Sequence, residues 1–139
     1  MTAREHLSQA KHLDMRINAK IQQADTLKAM ALSVTSVLTD MPHNPNKGNS
    51  KVASAVDKLI DLQREINAEI DKLVDLKAEI VAALAKLDKE EYQLLLEKRY
   101  LCFNTWDQIA SEMGYSLHYL FKLHRRALKD YGAVLKLDT

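Results

Sequence analysis

The C-terminal part of the sequence carries a cluster of cationic side chains with no acidic residue among them. Between Ser116 and Lys129 this cluster has four members, which are Lys122, Arg125, Arg126 and Lys129. His118, Tyr119 and His124 are interleaved with them. Lys and Arg side chains neutralise phosphates, and Arg also donates paired hydrogen bonds to base edges. The pattern therefore favours nucleic-acid binding over chemistry on a small substrate.

The segment 105–126, which holds most of this cluster, has the pattern of two short helices joined by a tight turn. Thr105 and Gln108 form an S/T-x-x-Q capping box, which predicts the start of a helix. The helix is expected to end at Met113. Gly114 then stops it, because glycine tolerates the left-handed conformation that such a turn needs.

The final helix is predicted from its own start and stop signals. Ser116 is the expected N-cap, and the helix is expected to run to about Tyr131 with Gly132 as its stop. Ala110 supplies the small residue that a helix-turn-helix needs where its helices approach. The apolar residues expected to face the shared core are Ile109, Met113, Leu120 and Leu123. These features together predict a helix-turn-helix; the alternative is an ordinary αα-turn, which would not need all of them.

The predicted DNA-binding residues follow from their order along the final helix. Base-edge and phosphate contacts are expected from Ser116, Leu117, His118, Lys122 and Arg125. Arg126 and Lys129 are expected to contact phosphates. Each single cation is also compatible with an ordinary solvated surface. For Lys129, which precedes Asp130, both interpretations stay open.

Two long stretches precede this segment. The first begins with a Thr2–Glu5 capping box and predicts a helix over about 3–39, with apolar residues every three or four positions. The second is expected to run from an N-cap at Ser50 to about Leu87. Both prolines lie between them, so a loop is predicted at 40–49. The predicted organisation is a helical hairpin over 1–87 and a helix-turn-helix unit over 88–139.

The second stretch has a regular heptad pattern. One register repeats every seven residues and comprises Val52, Leu59, Ile66, Leu73, Ile80 and Leu87. The companion register contains Val56, Ile70 and Leu84. Further apolar residues, Ile60 and Leu62 among them, flank both registers. The resulting stripe covers about four positions per heptad, which is wider than one partner helix covers. A homodimer through the hairpin is therefore predicted, and packing of this face on the C-terminal part is the alternative.

The segment after the heptads predicts one more short helix. Asp88 and Glu91 resemble a further capping pattern, and the helix is expected to continue to about Tyr100. Cys102 is expected to be a small buried residue. No segment alternates polar and apolar residues as a half-buried strand does. The predicted fold class is all-α, with a long antiparallel, coiled-coil-like helical hairpin followed by a small helix-turn-helix unit.

Composition excludes several classes of protein. The chain has 139 residues, a net charge of +1, three glycines, two prolines and one cysteine. These counts exclude a collagen-like chain and an internal disulfide framework. No secretory signal or membrane span is apparent, so a cytoplasmic location without membrane partners is expected. The sequence shows no phosphate loop, nucleophile–base pair or metal-ligand spacing, so no enzyme, cofactor or metal is expected.

Residues 88–131 resemble the fourth conserved region of bacterial sigma factors. The matching positions are Arg99, Tyr100, 105–110, 113–116, Tyr119 and 123–128. In sigma factors this region reads the promoter −35 element and touches the RNA polymerase β flap. The resemblance implies double-stranded DNA as a partner and RNA polymerase as a candidate second partner.

The whole chain is similar to a family of small phage and prophage proteins from Gram-positive bacteria. These proteins pair an N-terminal helical hairpin with a sigma-like end and are loosely grouped with activators of late and packaging genes. The matching segments are 18–20, 65–71, 73–77 and 99–101. The resemblance implies a phage-type transcription regulator. Sigma segments for the −10 element and the polymerase clamp have no counterpart here, so the chain is not expected to act alone as a sigma factor.

A second hypothesis comes from a different class of function. The sigma-like end would bind RNA polymerase or a host factor as an interaction module, without reading DNA. The two hypotheses differ in the salt dependence of duplex binding, because phosphate contacts make affinity fall steeply as salt rises.

Overall fold

The computed structural model describes the backbone of residues 1–40 and 45–137, and the side chains of 1–33 and 50–137. This part of the chain is all-helical and contains no strand, as predicted. The five α-helices are α1 (Ala3–Asp40), α2 (Pro45–Leu84), α3 (Glu90–Leu96), α4 (Trp106–Met113) and α5 (Leu117–Leu135). A π-helical segment, Glu97–Leu101, follows α3 directly.

The prediction of a loop at 40–49 is wrong for most of that range. Helix α1 includes Asp40 and helix α2 begins at Pro45, so Ser50 is an interior residue of α2 rather than its N-cap. Proline is favoured in the first turn of a helix, where its missing N–H has no partner to lose. Residues 41–44 of the predicted loop lie outside the described part of the chain. Helix α2 ends at Leu84, three residues before the predicted end.

The described residues form two compact units. The central unit comprises residues 15–72, and the terminal unit comprises residues 1–14 together with 73–139. The terminal unit therefore contains the first turns of α1, the last turns of α2 and all of the shorter helices. The predicted division at residue 87 stays a prediction.

The central unit has a small core and a buried carboxylate. Its buried apolar residues are Ile17, Ala24, Leu62 and Ile66. Glu69 is only 5 % exposed, and its Oε1 lies 3.0 Å from Arg16 Nη2 and 3.6 Å from Lys20 Nζ. Lys20 also lies 3.8 Å from Glu65 Oε2. The later residue of α1, Lys20, pairs with the earlier residue of α2, Glu65, whereas Arg16 pairs with Glu69.

Part of the heptad stripe in the central unit is not covered within the chain. Val56 and Ile70, predicted to lie in the apolar seam, are exposed, and so is Ile60. Leu62, predicted only to flank the seam, is buried. The stripe is wider than the contact with α1 covers, so one edge of it faces solvent.

The terminal unit has the larger core. Its fully buried large side chains are Leu7, Ile80, Leu95, Leu96, Ile109, Leu120, Leu123 and Tyr131. Helix α5 packs against α3 and α4. The predicted capping box at the start of α1 is confirmed, since Glu5 N donates to Thr2 Oγ1 at 3.1 Å and Thr2 N to Glu5 Oε2 at 3.3 Å.

The region between α2 and α4 differs from its prediction. Lys89, rather than Asp88, is the N-cap of α3, and its side chain makes no capping hydrogen bond. After Leu96 the helix widens, and Cys102 N donates to Glu97 O across five residues at 3.0 Å. Because this turn holds an extra residue, the residues that follow it lie on different faces from those of a regular α-helix. Tyr100 is buried, whereas Cys102 is exposed, and the prediction of a buried cysteine is wrong.

Helix α5 does not stop at Gly132. Gly132 is a buried interior residue, and the left-handed C-cap is Lys136, with φ 56°. A glycine inside a helix costs only about 1 kcal/mol relative to alanine. Val134, Leu135 and Leu137 pack against the core beyond it, and their burial offsets that cost.

Candidate nucleic-acid interface

Helices α4 and α5 are joined by the turn that the sequence predicts. Thr105 and Gln108 make both hydrogen bonds of the capping box, at 3.2 and 2.8 Å. Gly114 has φ 73° and ψ 29°, the left-handed conformation that ends α4. Ser116 Oγ accepts from Tyr119 N at 3.2 Å and so caps α5. Local signals at four positions therefore fix both ends of α4 and the start of α5.

The two helices share the expected core. Ile109 and Leu120 are fully buried, Leu123 is 1 % exposed, Ala110 is also buried, and α4 packs against α5. Met113 is half-buried and packs against the same core. This core fixes the rotation of α5, so the solvent-facing side of the helix is determined by packing rather than by its charged residues.

Four polar side chains share the face of α5 opposite this core. They are His118, Lys122, Arg125 and Lys129, and their spacing of four, three and four residues places them on one stripe. The buried residues Leu120, Leu123 and Ala127 lie on the other side of the helix. All four stripe residues are exposed. None of their side chains forms an ion pair or hydrogen bond with another residue in the described part of the chain, so all four are available to an external partner.

The other predicted residues lie around this stripe. Arg126 is exposed beside it, one position from Arg125. Ser116 uses its side-chain oxygen to cap the helix. Leu117 lies about a third of a turn away from the stripe, on the flank that also presents Phe121. The structure therefore brings four of the seven predicted residues onto one face, with Arg126 next to it, and separates Leu117 from them.

Aromatic contacts hold the two helices together at one end. The Trp106 ring lies 5.2 Å from Phe121 and 4.6 Å from His124, edge to face in both cases. The Arg99 guanidinium lies over the Trp106 ring at 4.5 Å and donates to Asn104 O at 3.0 Å. Trp106 is therefore a partly buried anchor between α4 and α5.

The turn itself is tied to α3. Tyr115 Oη donates to Glu91 Oε2 at 3.1 Å, and this hydrogen bond raises the pKa of Tyr115. The Tyr115 ring also lies 4.8 Å from that of Tyr119, edge to face. These contacts position the first turn of α5, where the stripe begins.

The two histidines of α5 have different environments. His118 is exposed on the stripe, whereas His124 is buried and its Nε2 lies 2.7 Å from Tyr100 Oη. Burial, followed by the charges of Arg4, Arg99 and Arg125, lowers the pKa of His124 to about 4. His124 is therefore neutral at pH 7. The sequence places both histidines among cations and does not separate these roles.

Comparison of the chain with protein-family models, with curated proteins and with solved structures finds no match. No helix in the described ranges is long and apolar enough to cross a membrane. Residues 1–40 and 45–137 contain no group of three or more His, Cys, Asp or Glu side chains arranged to hold a metal ion.

Proposed function

We propose that this protein is a phage-type transcription regulator that binds promoter or operator DNA through α5. The observation that carries the proposal is the exposed stripe of His118, Lys122, Arg125 and Lys129, which has no partner among the described residues. A helix that presents cations and hydrogen-bonding groups along one exposed face suits the major groove of B-DNA. In this proposal the protein acts in the cytoplasm and is not an enzyme.

The geometry of α4, the turn and α5 supports a helix-turn-helix as the binding unit. Gly114 in the left-handed conformation, Ser116 as the N-cap of α5 and the shared core position α5 as the second helix of such a motif. In the central unit, the order of the Arg16–Glu69 and Lys20–Glu65 pairs supports an antiparallel hairpin of α1 and α2. The proposed architecture is a long hairpin followed by this DNA-binding unit.

The residues of the proposed interface divide by their position on α5. His118, Lys122 and Arg125 are placed for base-edge or phosphate contacts, and Ser116 lies at the end of the helix nearest to the turn. Arg126 and Lys129 are placed for contacts with phosphates along the major groove of the DNA. Leu117 lies off the stripe, so its proposed contact with DNA is at the edge of the interface.

A second candidate function is favoured by one feature of the same helix. Leu117, Tyr119 and Phe121 are large side chains, and each is about 40 % exposed. Exposed apolar side chains at the start of a helix suit a protein partner rather than a phosphate backbone. In this alternative the unit binds RNA polymerase or a host factor without reading DNA.

Alanine substitution of Lys122 and Arg125 tests the DNA-binding proposal. Each change should leave the free energy of unfolding within about 0.5 kcal/mol of the parent, because both side chains face solvent. A lost phosphate contact should reduce the slope of log K against log salt by about one unit. A lost base contact should instead cost about 1–3 kcal/mol and relax discrimination at one base pair. The measurement is a salt titration with a random-sequence duplex pool and with duplexes selected from it.

Lys86→Ala is the matched control, since Lys86 is exposed in the terminal unit and lies outside α5. This variant should bind duplex DNA as the parent does. The proposal fails if the parent binds duplexes without a salt-dependent affinity. It also fails if the Lys122 and Arg125 variants bind DNA normally but lose binding to RNA polymerase, and the second candidate function then replaces it.

We propose further that two copies associate through α2 of the central unit. Val56, Ile60 and Ile70 are exposed there, and with Gln63 and Asn67 they follow a spacing of four, three, four and three residues. This is the spacing of a coiled-coil seam, in which a polar residue such as Asn67 fixes the register of a second identical helix. The Gln63 and Asn67 side chains are hydrogen-bonded to each other at 3.1 Å, midway along this face.

Sedimentation at micromolar concentration should show a species of twice the chain mass of 15.8 kDa. Ile60→Gln should shift the equilibrium to monomer, because it removes an apolar side chain from the seam. Asp61→Gln, which introduces the same side chain one residue away on the outer face, should not. A parent that sediments only at 15.8 kDa contradicts the dimer.

A further inference from the structure

A second group of cations lies at the edge of the α5 stripe and includes a residue from the other end of the chain. A groove of about 400 Å³ opens between the start of α1 and the middle of α5. Its lining residues are Thr2, Ala3, Arg4, Arg125, Leu128 and Lys129. All of them belong to the terminal unit. Three of the six carry a positive charge and none carries a negative charge, so a mostly apolar groove is bordered by cationic side chains.

The positions of these cations are supported by a second observation. The charges of Arg4 and Arg125 both lower the pKa of the buried His124, and Arg4 also makes a side-chain hydrogen bond to Tyr100, so its guanidinium lies beside this part of the terminal unit. A guanidinium has five N–H donors, so donors remain for a phosphate. Glu5, the acidic residue next to Arg4, is turned back to accept a hydrogen bond from Thr2 N. Asp130, the acidic residue next to Lys129, does not line the groove. Arg4, Arg125 and Lys129 form no ion pair with another residue of the described ranges.

The groove shares two residues with the stripe. Arg125 and Lys129 belong to both, so the groove is continuous with the face that the proposed function turns toward DNA. Cations beside a helix that lies in the major groove of DNA contact the phosphates that border the major groove. Such contacts fix the register of the protein on the duplex. The planar fork of an arginine can donate two hydrogen bonds to one phosphate.

We propose that Arg4, from the first turn of α1, is a DNA-phosphate contact, and that the groove it forms with Arg125 and Lys129 holds one phosphodiester of the bound duplex. This inference rests on the proposed function, because it assigns an additional contact to the same complex. Through this contact the first turn of α1 binds DNA directly. The sequence alone does not indicate such a contact, since Arg4 and Arg125 lie more than one hundred residues apart.

The test is a salt titration of duplex binding by the full chain with Arg4→Ala, Arg4→Lys and the Lys86→Ala control. Arg4→Ala should reduce the slope of log K against log salt by about one unit. It should weaken binding to all duplex sequences alike, without changing the preferred sequence. Arg4→Lys should restore the slope because the charge is kept, and Lys86→Ala should match the parent. Thermal unfolding of each variant checks that the terminal unit is intact.

The outcomes separate this inference from the proposed function. If the Lys122→Ala slope falls while the Arg4→Ala slope equals that of the parent, Arg4 is not a contact and the proposed function stands. If the parent shows no salt-dependent duplex binding, the proposed function fails and this inference fails with it. Titration with inorganic phosphate gives a further arm. Saturable phosphate binding at millimolar concentration that is lost in Arg4→Ala, together with a duplex salt slope equal to that of the parent, would overturn the DNA contact and assign the groove to a free anion.

Discussion

Tyr131→Ala should lower the free energy of unfolding of the terminal unit more than any other single truncation to alanine in α5. Tyr131 is fully buried, and its Oη lies 2.9 Å from Nδ1 of His6. The other ring nitrogen of His6 lies 3.3 Å from Glu79 Oε1, so one side chain of α5 is linked to both α1 and α2. Truncating a buried aromatic ring leaves a cavity, and the expected loss of stability is about 3–5 kcal/mol. Burial also raises the pKa of Tyr131, which keeps the hydroxyl protonated.

Two matched variants separate the ring from its hydroxyl. Tyr131→Phe keeps the ring and removes one hydrogen bond, so it should cost about 0.5–1.5 kcal/mol. Tyr119→Ala removes a ring of the same type from an exposed position of the same helix and should cost less than Tyr131→Ala. Urea unfolding followed by the fluorescence of Trp106 reports on the terminal unit alone, because Trp106 is the single tryptophan of the sequence. A loss below about 1 kcal/mol for Tyr131→Ala would contradict the packing described for α5.

Acidification from about pH 6.5 to pH 4 should remove stability from the terminal unit, with His124 as a main cause. Burial, followed by the charges of Arg4, Arg99 and Arg125, lowers the pKa of His124 to about 4 in the folded chain. The unfolded chain has the ordinary histidine pKa of about 6.5. Between these values the unfolded state binds the proton and the folded state does not, so stability falls as the pH falls. The full effect is on the order of 3 kcal/mol and is complete below about pH 4.

His124→Gln is the test of this assignment, because glutamine does not titrate and still offers an acceptor to Tyr100 Oη. The variant should lose less stability between pH 6.5 and 4 than the parent does, whatever its stability at pH 7. His118→Gln is the control, since His118 is exposed, and this variant should keep the acid sensitivity of the parent. Parallel stability curves for the parent and His124→Gln over this range would show that another group is responsible.

The features that could be predicted from the sequence are those encoded by a few neighbouring residues. The capping box at Thr105 and Gln108, the left-handed Gly114 and the capping Ser116 each depend on hydrogen bonds or sterics within four residues. The stripe on α5 follows from helical spacing once these boundaries are known. For this reason four of the seven residues predicted to bind DNA lie on one exposed face of α5.

The features that could not be predicted depend on contacts distant in the sequence. Gly132 resembles a helix stop, but packing of the residues after it carries α5 further. Helical periodicity contains no sign of the π-helical turn that buries Tyr100 and exposes Cys102. Val56 and Ile70 have the same residue types and spacing as buried seam residues, and only the placement of α1 decides that they face solvent. Arg4 joins the candidate site through the fold alone.

The terminal unit is built from two separate segments of the chain, 1–14 and 73–139, and this affects the order in which its contacts form. The Tyr100–His124 contact closes a loop of 24 residues, whereas the His6–Tyr131 contact closes one of 125. For a flexible chain, the longer closure costs about 1.5 kcal/mol more in entropy. We therefore expect the short helices around α5 to associate first and the first turn of α1 to dock later. During synthesis on the ribosome, that first turn must wait for almost the whole chain to emerge before it meets its packing partners.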